Sequence, residues 1–256
     1  MGSVISEFIK LKRSMSWGVV VLLPVIMVVA GAASTISGEG EFAEGWDTLW
    51  IRSIGFYGMA ILPVGIAILA SLVWRAEHKN SSWNALMSGP GATSHVVVGK
   101  VAAITVLATA MQVVMVATVV VLGKLVYGLP GMLPPAYLAT SLLVIVAQVP
   151  VAALQSAFST FVRSFAAPVA AALVLTGVST MALLMKVPAI AVTPYALLTQ
   201  TTQVGSTVMM AGQGTSFEVS ALTPEHAGLT TGVSALLTIV IVAGTAFALQ
   251  RSDTRA

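Results

Sequence analysis

Residues Arg75–Lys100, RAEHKNSSWNALMSGPGATSHVVVGK, form the one long polar interruption between two strongly apolar segments, and they carry an excess of positive charge. Upstream stands GFYGMAILPVGIAILASLVW (55–74), downstream VAAITVLATAMQVVMVATVVVLG (101–123). Each reaches the roughly 20 residues that an apolar helix needs to cross a bilayer. The stretch between them cannot sit in lipid. It must stand in water on one side, where a partner can bind it.

Composition supports the membrane reading. The chain has 256 residues, 57% hydrophobic and only 8% charged. Soluble domains carry about 25% charged residues, so a soluble fold of this composition would lack a surface. The formal net charge of +3 is small. In a membrane protein charge is distributed by side, so it is no sign of nucleic-acid binding. The absence of cysteine excludes disulfides, thiolate metal sites and a cysteine nucleophile.

Working outward, six spans are expected, at about 17–37, 51–74, 97–123, 136–161, 166–186 and 229–250. They make one all-α transmembrane domain over 1–256, because runs of this length are not the alternating short strands of a barrel. The first run follows Lys10, Lys12 and Arg13 and contains Ala30-Gly31-Ala32, like a signal peptide. From Trp17 to about Ile36 it is too long for a signal core, and an uncleaved span is expected.

Charge sets the orientation. With a cytoplasmic N-terminus, Lys10, Lys12, Arg13, Arg75, Lys79, Lys100, Arg163, Arg251 and Arg255 fall inside. Only Arg52, Lys124 and Lys186 fall outside or near the outer ends, as the positive-inside rule requires. Both termini are then cytoplasmic.

The connections differ in kind. The 38–50 loop is short and acidic, and 124–135 holds Pro130, Pro134 and Pro135, a rigid turn. The link 162–165 is short enough to make spans four and five a tight hairpin. The 187–228 segment is long, weakly polar and punctuated by Pro188, Pro194 and Pro224. It reads as short helices re-entering the bundle or lying at its outer surface, in preference to a plain loop. No internal repeat is visible.

Several chemistries are excluded. No Walker A motif exists, since Gly99-Lys100 is followed by Val101 and preceded five residues back by Ser94. His78, His95 and His226 lie far apart without metal-ligand spacing, and surface positions are expected for them. The span interiors lack ionisable residues, which argues against ion-driven transport and against an intramembrane hydrolase. Their polar content is limited to residues such as Gln112, Gln148 and Gln155. Gln148 and Gln155, seven apart, share one helical face. Interhelical hydrogen bonding is the plain reading, and a stripe along a substrate path the sharper one.

Two water-facing elements have pattern. In SVISEFIKLKRS, Val4, Ile5, Phe8 and Leu11 fall near one face, and Glu7, Lys10 and Lys12 fall away from it. With Arg13, residues 3–13 suit a helix lying in the membrane interface. In the polar insert, Trp83, Leu86 and Met87 are spaced i, i+3, i+4, a short helix with one apolar face. Asn80, Ser81 or Ser82 can cap it, and Gly89-Pro90 ends it. Such a helix could fill a groove on a soluble partner, or Trp83 could simply rest among headgroups.

These residues resemble a family. Glu77, Lys79, Trp83, Leu86, Gly89 and Pro90, then Gly99-Lys100 at the mouth of span three, together with EFIKLKRS (Glu7–Ser14), are similar to the permeases of type-2 ABC exporters. The lantibiotic-immunity and bacitracin-resistance branch looks nearest. An arginine common after the proline is replaced here by Ala92-Thr93-Ser94-His95.

The resemblance implies a bacterial cytoplasmic-membrane permease that is not itself an enzyme. It would pair with a second permease, identical or paralogous, and with two ABC ATPase subunits. ATP and Mg would be bound by the ATPases and no cofactor by this chain. Within 75–96, the coupling helix would use Glu77, Lys79, Trp83, Leu86, Met87, Gly89 and Pro90. Residues 3–13 would be the connecting helix and 187–228 the extracellular gate. The cargo would be an amphiphilic or peptide antimicrobial. A membrane scaffold that holds soluble partners without transport is the competing reading, as is a permease of this type with another cargo.

Overall fold

The computed structural model describes residues 15–39, 45–78, 93–185, 187–203 and 223–253. Among them every regular element is helical and no strand occurs. Six stretches are long and apolar enough to cross a membrane: Ser16–Ser34, Trp46–Arg75, Ser94–Val126, Pro135–Phe161, Ala166–Leu184 and Pro224–Arg251. The chain is therefore an all-α polytopic membrane protein, as its hydropathy predicts.

The first span is α1 (Ser16–Glu39). The second is built from α2 (Trp46–Phe56), a π-helical turn (Tyr57–Ile61) and α3 (Leu62–His78). Pro63 explains the wide turn. It has no N–H to give the preceding turn, and Leu62 N–H bonds Tyr57 O instead. This span starts five residues before the expected Ile51. Asp47 and Arg52 lower the local hydropathy, but Trp46, Leu49 and Trp50 are buried against neighbouring spans.

The third span is α4 (Thr93–Val121), which ends in a second π-helical turn (Leu122–Val126). The turn that follows uses positive φ at Gly128 and Gly131, where a side chain would be strained. Trp46 Nε1 donates to Pro130 O at 2.8 Å and Lys124 Nζ to Leu129 O at 3.1 Å, which fastens this turn to the bundle.

The fourth span is not one continuous helix. It divides into α5 (Pro135–Ala147) and α6 (Val149–Phe161) at Gln148, because Pro150 cannot donate to Val146 O. Gln148 N–H to Val144 O and Ala152 N–H to Gln148 O, both 2.9 Å, carry the chain across the break.

The fifth span is α7 (Ala166–Leu184), and the last is α9 (Pro224–Asp253). Between them come a 3-10 turn (Pro188–Val192) and α8 (Pro194–Gln203). Seven of the ten α8 residues are buried: Tyr195, Ala196, Leu197, Leu198, Thr199, Thr201 and Thr202. It packs against α5, α7 and the π turn of span two. α8 is thus buried among the spans. Gly58 makes room for it, since a Cβ there would overlap the Thr202 side chain.

Spans two and four form the centre, with 61% of their most apolar stretches buried. Spans five and six form the periphery, with 22%. α3 packs on α4, α6, α7 and α1. The short 162–165 link does not produce the tight α6–α7 hairpin expected from its length. α7 packs instead on α3 and α8 and touches α6 only slightly.

Candidate functional site

The site begins at the last turn of α3. Glu77 and Lys100 were expected at the water-facing mouths of their spans, and the structure corrects this. Lys100 Nζ lies 2.8 Å from Glu77 Oε1, with side-chain exposures of 1% and 5%. Lys100 also donates to Val73 O at 3.3 Å and sits 5.3 Å from the centre of the Trp74 ring. The reason is physical. α4 starts at Thr93, so Lys100 lies two turns inside the helix, against α3. A charge buried there must be paired and hydrogen-bonded.

The same turn of α3 is tied to α6. Trp74 Nε1 donates to Ser156 Oγ at 3.0 Å. His78 Nε2 donates to Ser159 O at 2.8 Å, which makes His78 a structural contact and not the surface residue expected. Ser71 Oγ and Ser159 Oγ meet at 3.5 Å. Successive residues of one helical turn thus join α3 to α4 on one side and to α6 on the other. His95 is exposed and His226 half-buried.

A second polar layer lies within the bundle. Gln148 Nε2 donates to Thr109 Oγ1 of α4 at 3.2 Å, and Gln112 Nε2 to Ser141 Oγ of α5 at 3.2 Å. Gln155 Nε2 bonds Tyr195 Oη of α8. Gln148 and Gln155 are both fully buried, and they serve different helices, α4 and α8. Their carbonyl oxygens, with that of Gln112, have no hydrogen-bond partner among the described residues.

At the opposite end, Tyr137 Oη donates to Asp47 Oδ1 at 2.5 Å and its ring stacks on Trp50 with centroids 4.8 Å apart. Among the described residues no group of three or more His, Asp or Glu could hold a metal ion.

Of the coupling residues expected from the sequence, Glu77 is placed by the structure. Lys79, Trp83, Leu86, Met87, Gly89 and Pro90 lie outside the described residues. So do Glu7, Phe8, Lys10, Lys12 and Arg13 of the interfacial helix. The residues that sequence reasoning missed are those around Glu77: Val73, Trp74, Ser156 and Ser159. Opposite charges at the mouths of two consecutive spans were a readable signal for the Glu77–Lys100 pair. Nothing in the sequence pointed to the α6 serines.

These contacts define a six-span helical membrane protein whose polar side chains join span to span. Residues 3–179 match the ABC-2 family transporter protein, which covers well over half of the chain. The chain belongs to this family and is the membrane-spanning permease of an ABC transporter. α8 and α9 lie beyond the matched residues. No curated protein matches the chain, and no solved structure does.

Proposed function

We propose that the chain is the permease subunit of an ATP-driven exporter, worked by separate ABC ATPase subunits through its 77–90 segment. The observation that carries this reading is the buried Glu77–Lys100 pair. It stands at the two roots of the 79–92 connection and is bolted to α6 through Trp74 and His78. A push on the connection would reach three spans at once, through these contacts. The apolar face of Trp83, Leu86 and Met87 would fill a groove on the ATPase, with Lys79 before it and Gly89-Pro90 ending it.

The remaining assignments follow the family likeness. Two permeases, identical or paralogous, would work with two ATPases, which bind ATP and Mg. Glu7, Phe8, Lys10, Lys12 and Arg13 would lie in the interface as a connecting helix. The excess of basic residues where α3 and α6 finish and α4 and α7 begin favours a cytoplasmic side there, with both termini on it, in a bacterial cytoplasmic membrane. α8 and its flanks would form the outer gate. The cargo would be an amphiphilic or peptide antimicrobial, as in the lantibiotic and bacitracin branch. Walls poor in charge suit it, and the buried carbonyl oxygens of Gln148 and Gln155 offer acceptors along its path.

The test is co-purification with the cognate ABC ATPase, with ATP hydrolysis measured on the complex. Trp83→Ala and Leu86→Asp are expected to lower co-elution and hydrolysis while the permease still inserts. Unchanged co-elution and hydrolysis in both variants would remove the coupling role. Unaltered tolerance to lantibiotics and bacitracin after deletion of the gene would remove the cargo assignment alone.

A further inference from the structure

The last turn of α3, the end of α6 and the start of α7 border an open cavity of about 420 Å³. It is lined by Arg75 from α3 and Arg163 from the α6–α7 link. Ser71, Ser159 and Ser164 add hydroxyls, and no carboxylate belongs to the lining. Among the described residues no acid pairs with either arginine. The nearest acid in sequence to Arg75 is Glu77, and it is committed to Lys100. Two exposed guanidinium groups share this cavity, and among the described residues no carboxylate lies between them, so their fields add where an anion could sit. The start of α7 adds the positive end of a 19-residue helix to the same wall.

The donors suit a phosphate. Guanidinium forks bind phosphate oxygens in pairs, and serine hydroxyls fill the remaining acceptor positions. The level of the cavity says where that phosphate comes from. Spans two and four end at Arg75 and Phe161, and span five begins at Ala166. The cavity therefore lies where hydrocarbon gives way to headgroups. Val162 and Phe165 also line it and are 38% and 42% exposed, placed to meet the upper part of an acyl chain. A volume of this size is roomier than a bare phosphate needs.

We propose that this cavity binds the phosphate of an anionic phospholipid headgroup, clamped between Arg75 and Arg163. The lipid would bridge α3, α6 and α7 at the level of the Trp74 and His78 contacts. The inference does not depend on the ATPase-coupling reading, and it can be tested on the permease alone.

The full-length chain, purified in detergent and stripped of lipid, is titrated with phosphatidylglycerol in mixed micelles. Retained lipid is counted by native mass spectrometry. Phosphatidylcholine and inorganic phosphate are run as separate arms. Wild type is expected to retain phosphatidylglycerol in preference to phosphatidylcholine. The double variant Arg75→Gln/Arg163→Gln should lose about 30-fold in retention, the scale set by two basic side chains at a membrane surface. Arg75→Lys/Arg163→Lys should keep most of it. Arg251→Gln, near the end of α9 and outside the cavity, should change nothing. Unfolding temperatures equal to wild type show that each variant is folded. Equal retention by wild type and the glutamine variant overturns the proposal. Inorganic phosphate that binds with the same arginine dependence, without any preference for phosphatidylglycerol, overturns the lipid source and reassigns the cavity to a soluble anion.

Discussion

Glu77 and Lys100 stand 23 residues apart in sequence and 2.8 Å apart in space, both buried. Glu77 lies in the last turn of α3, and Lys100 lies two turns into α4. One ion pair therefore roots both ends of the 79–92 connection. Its partners, Val73 O and the Trp74 ring, come from the same turn of α3.

Breaking that pair from one side should be costly. Lys100→Met leaves the Glu77 carboxylate buried without its ammonium, and a loss of about 3–5 kcal/mol is expected. The double variant Glu77→Gln/Lys100→Met should recover much of it, since neither charge remains. Thermal unfolding of the detergent-solubilised variants reads this directly. A double variant no more stable than Lys100→Met would show that the pair is not the cause.

The bond between Gln155 and Tyr195 is the polar tie between α8 and span four. Tyr195→Phe and Gln155→Leu, combined in a double-mutant cycle, should show a coupling of about 0.6 kcal/mol and no more than about 1.7 kcal/mol, the range for hydrogen bonds between membrane helices. Additive effects of the two substitutions would mean that α8 is held by packing alone.

Gly58 is predicted to be intolerant. Gly58→Ala places a methyl group on Thr202 and should unseat α8. Limited proteolysis should then cut near α8 faster than in wild type. Thr202→Gly should restore the protection in part, less about 1 kcal/mol for a glycine inside a helix. Proteolysis of Gly58→Ala at the wild-type rate would contradict the close approach.

At the far end, Tyr137→Phe removes the hydroxyl that donates to Asp47 and keeps the ring stacked on Trp50. A loss of about 1 kcal/mol is expected, the net worth of one hydrogen bond. ATPase co-elution should not change, because this latch is remote from the 79–92 connection. Reduced co-elution would place partner binding at the wrong end of the bundle.

How far the sequence could be read follows from the same residues. The six spans were legible because length and apolarity alone identify a crossing helix. The start of span two was not, because Asp47 and Arg52 stand in a turn whose tryptophans are nonetheless buried. The break at Gln148 carried a signal in Pro150 that length obscured. Neighbour relations were hidden for a deeper reason. Helices that are apolar all round have no stripe to show which face turns inward. Hence α7 packs on α3 when its short link promised α6. Glu77 and Lys100 were both visible as residues of interest, but their contact was not. It depends on where α4 starts, and in the sequence Lys100 stands at the lip of span three, not two turns inside it.

The central claim is that the 77–90 segment is where an ATPase grips this bundle. Site-directed crosslinking tests it most directly, and the chain has no native cysteine to confuse the result. A single Trp83→Cys is coupled to a thiol-reactive photocrosslinker in the permease–ATPase complex. The control is Leu125→Cys, 80% exposed at the opposite end. The account predicts an ATPase adduct from position 83, intensified or lost as ATP is added, and none from position 125. An intact complex with no adduct from 83, or equal adducts from both positions, would contradict it.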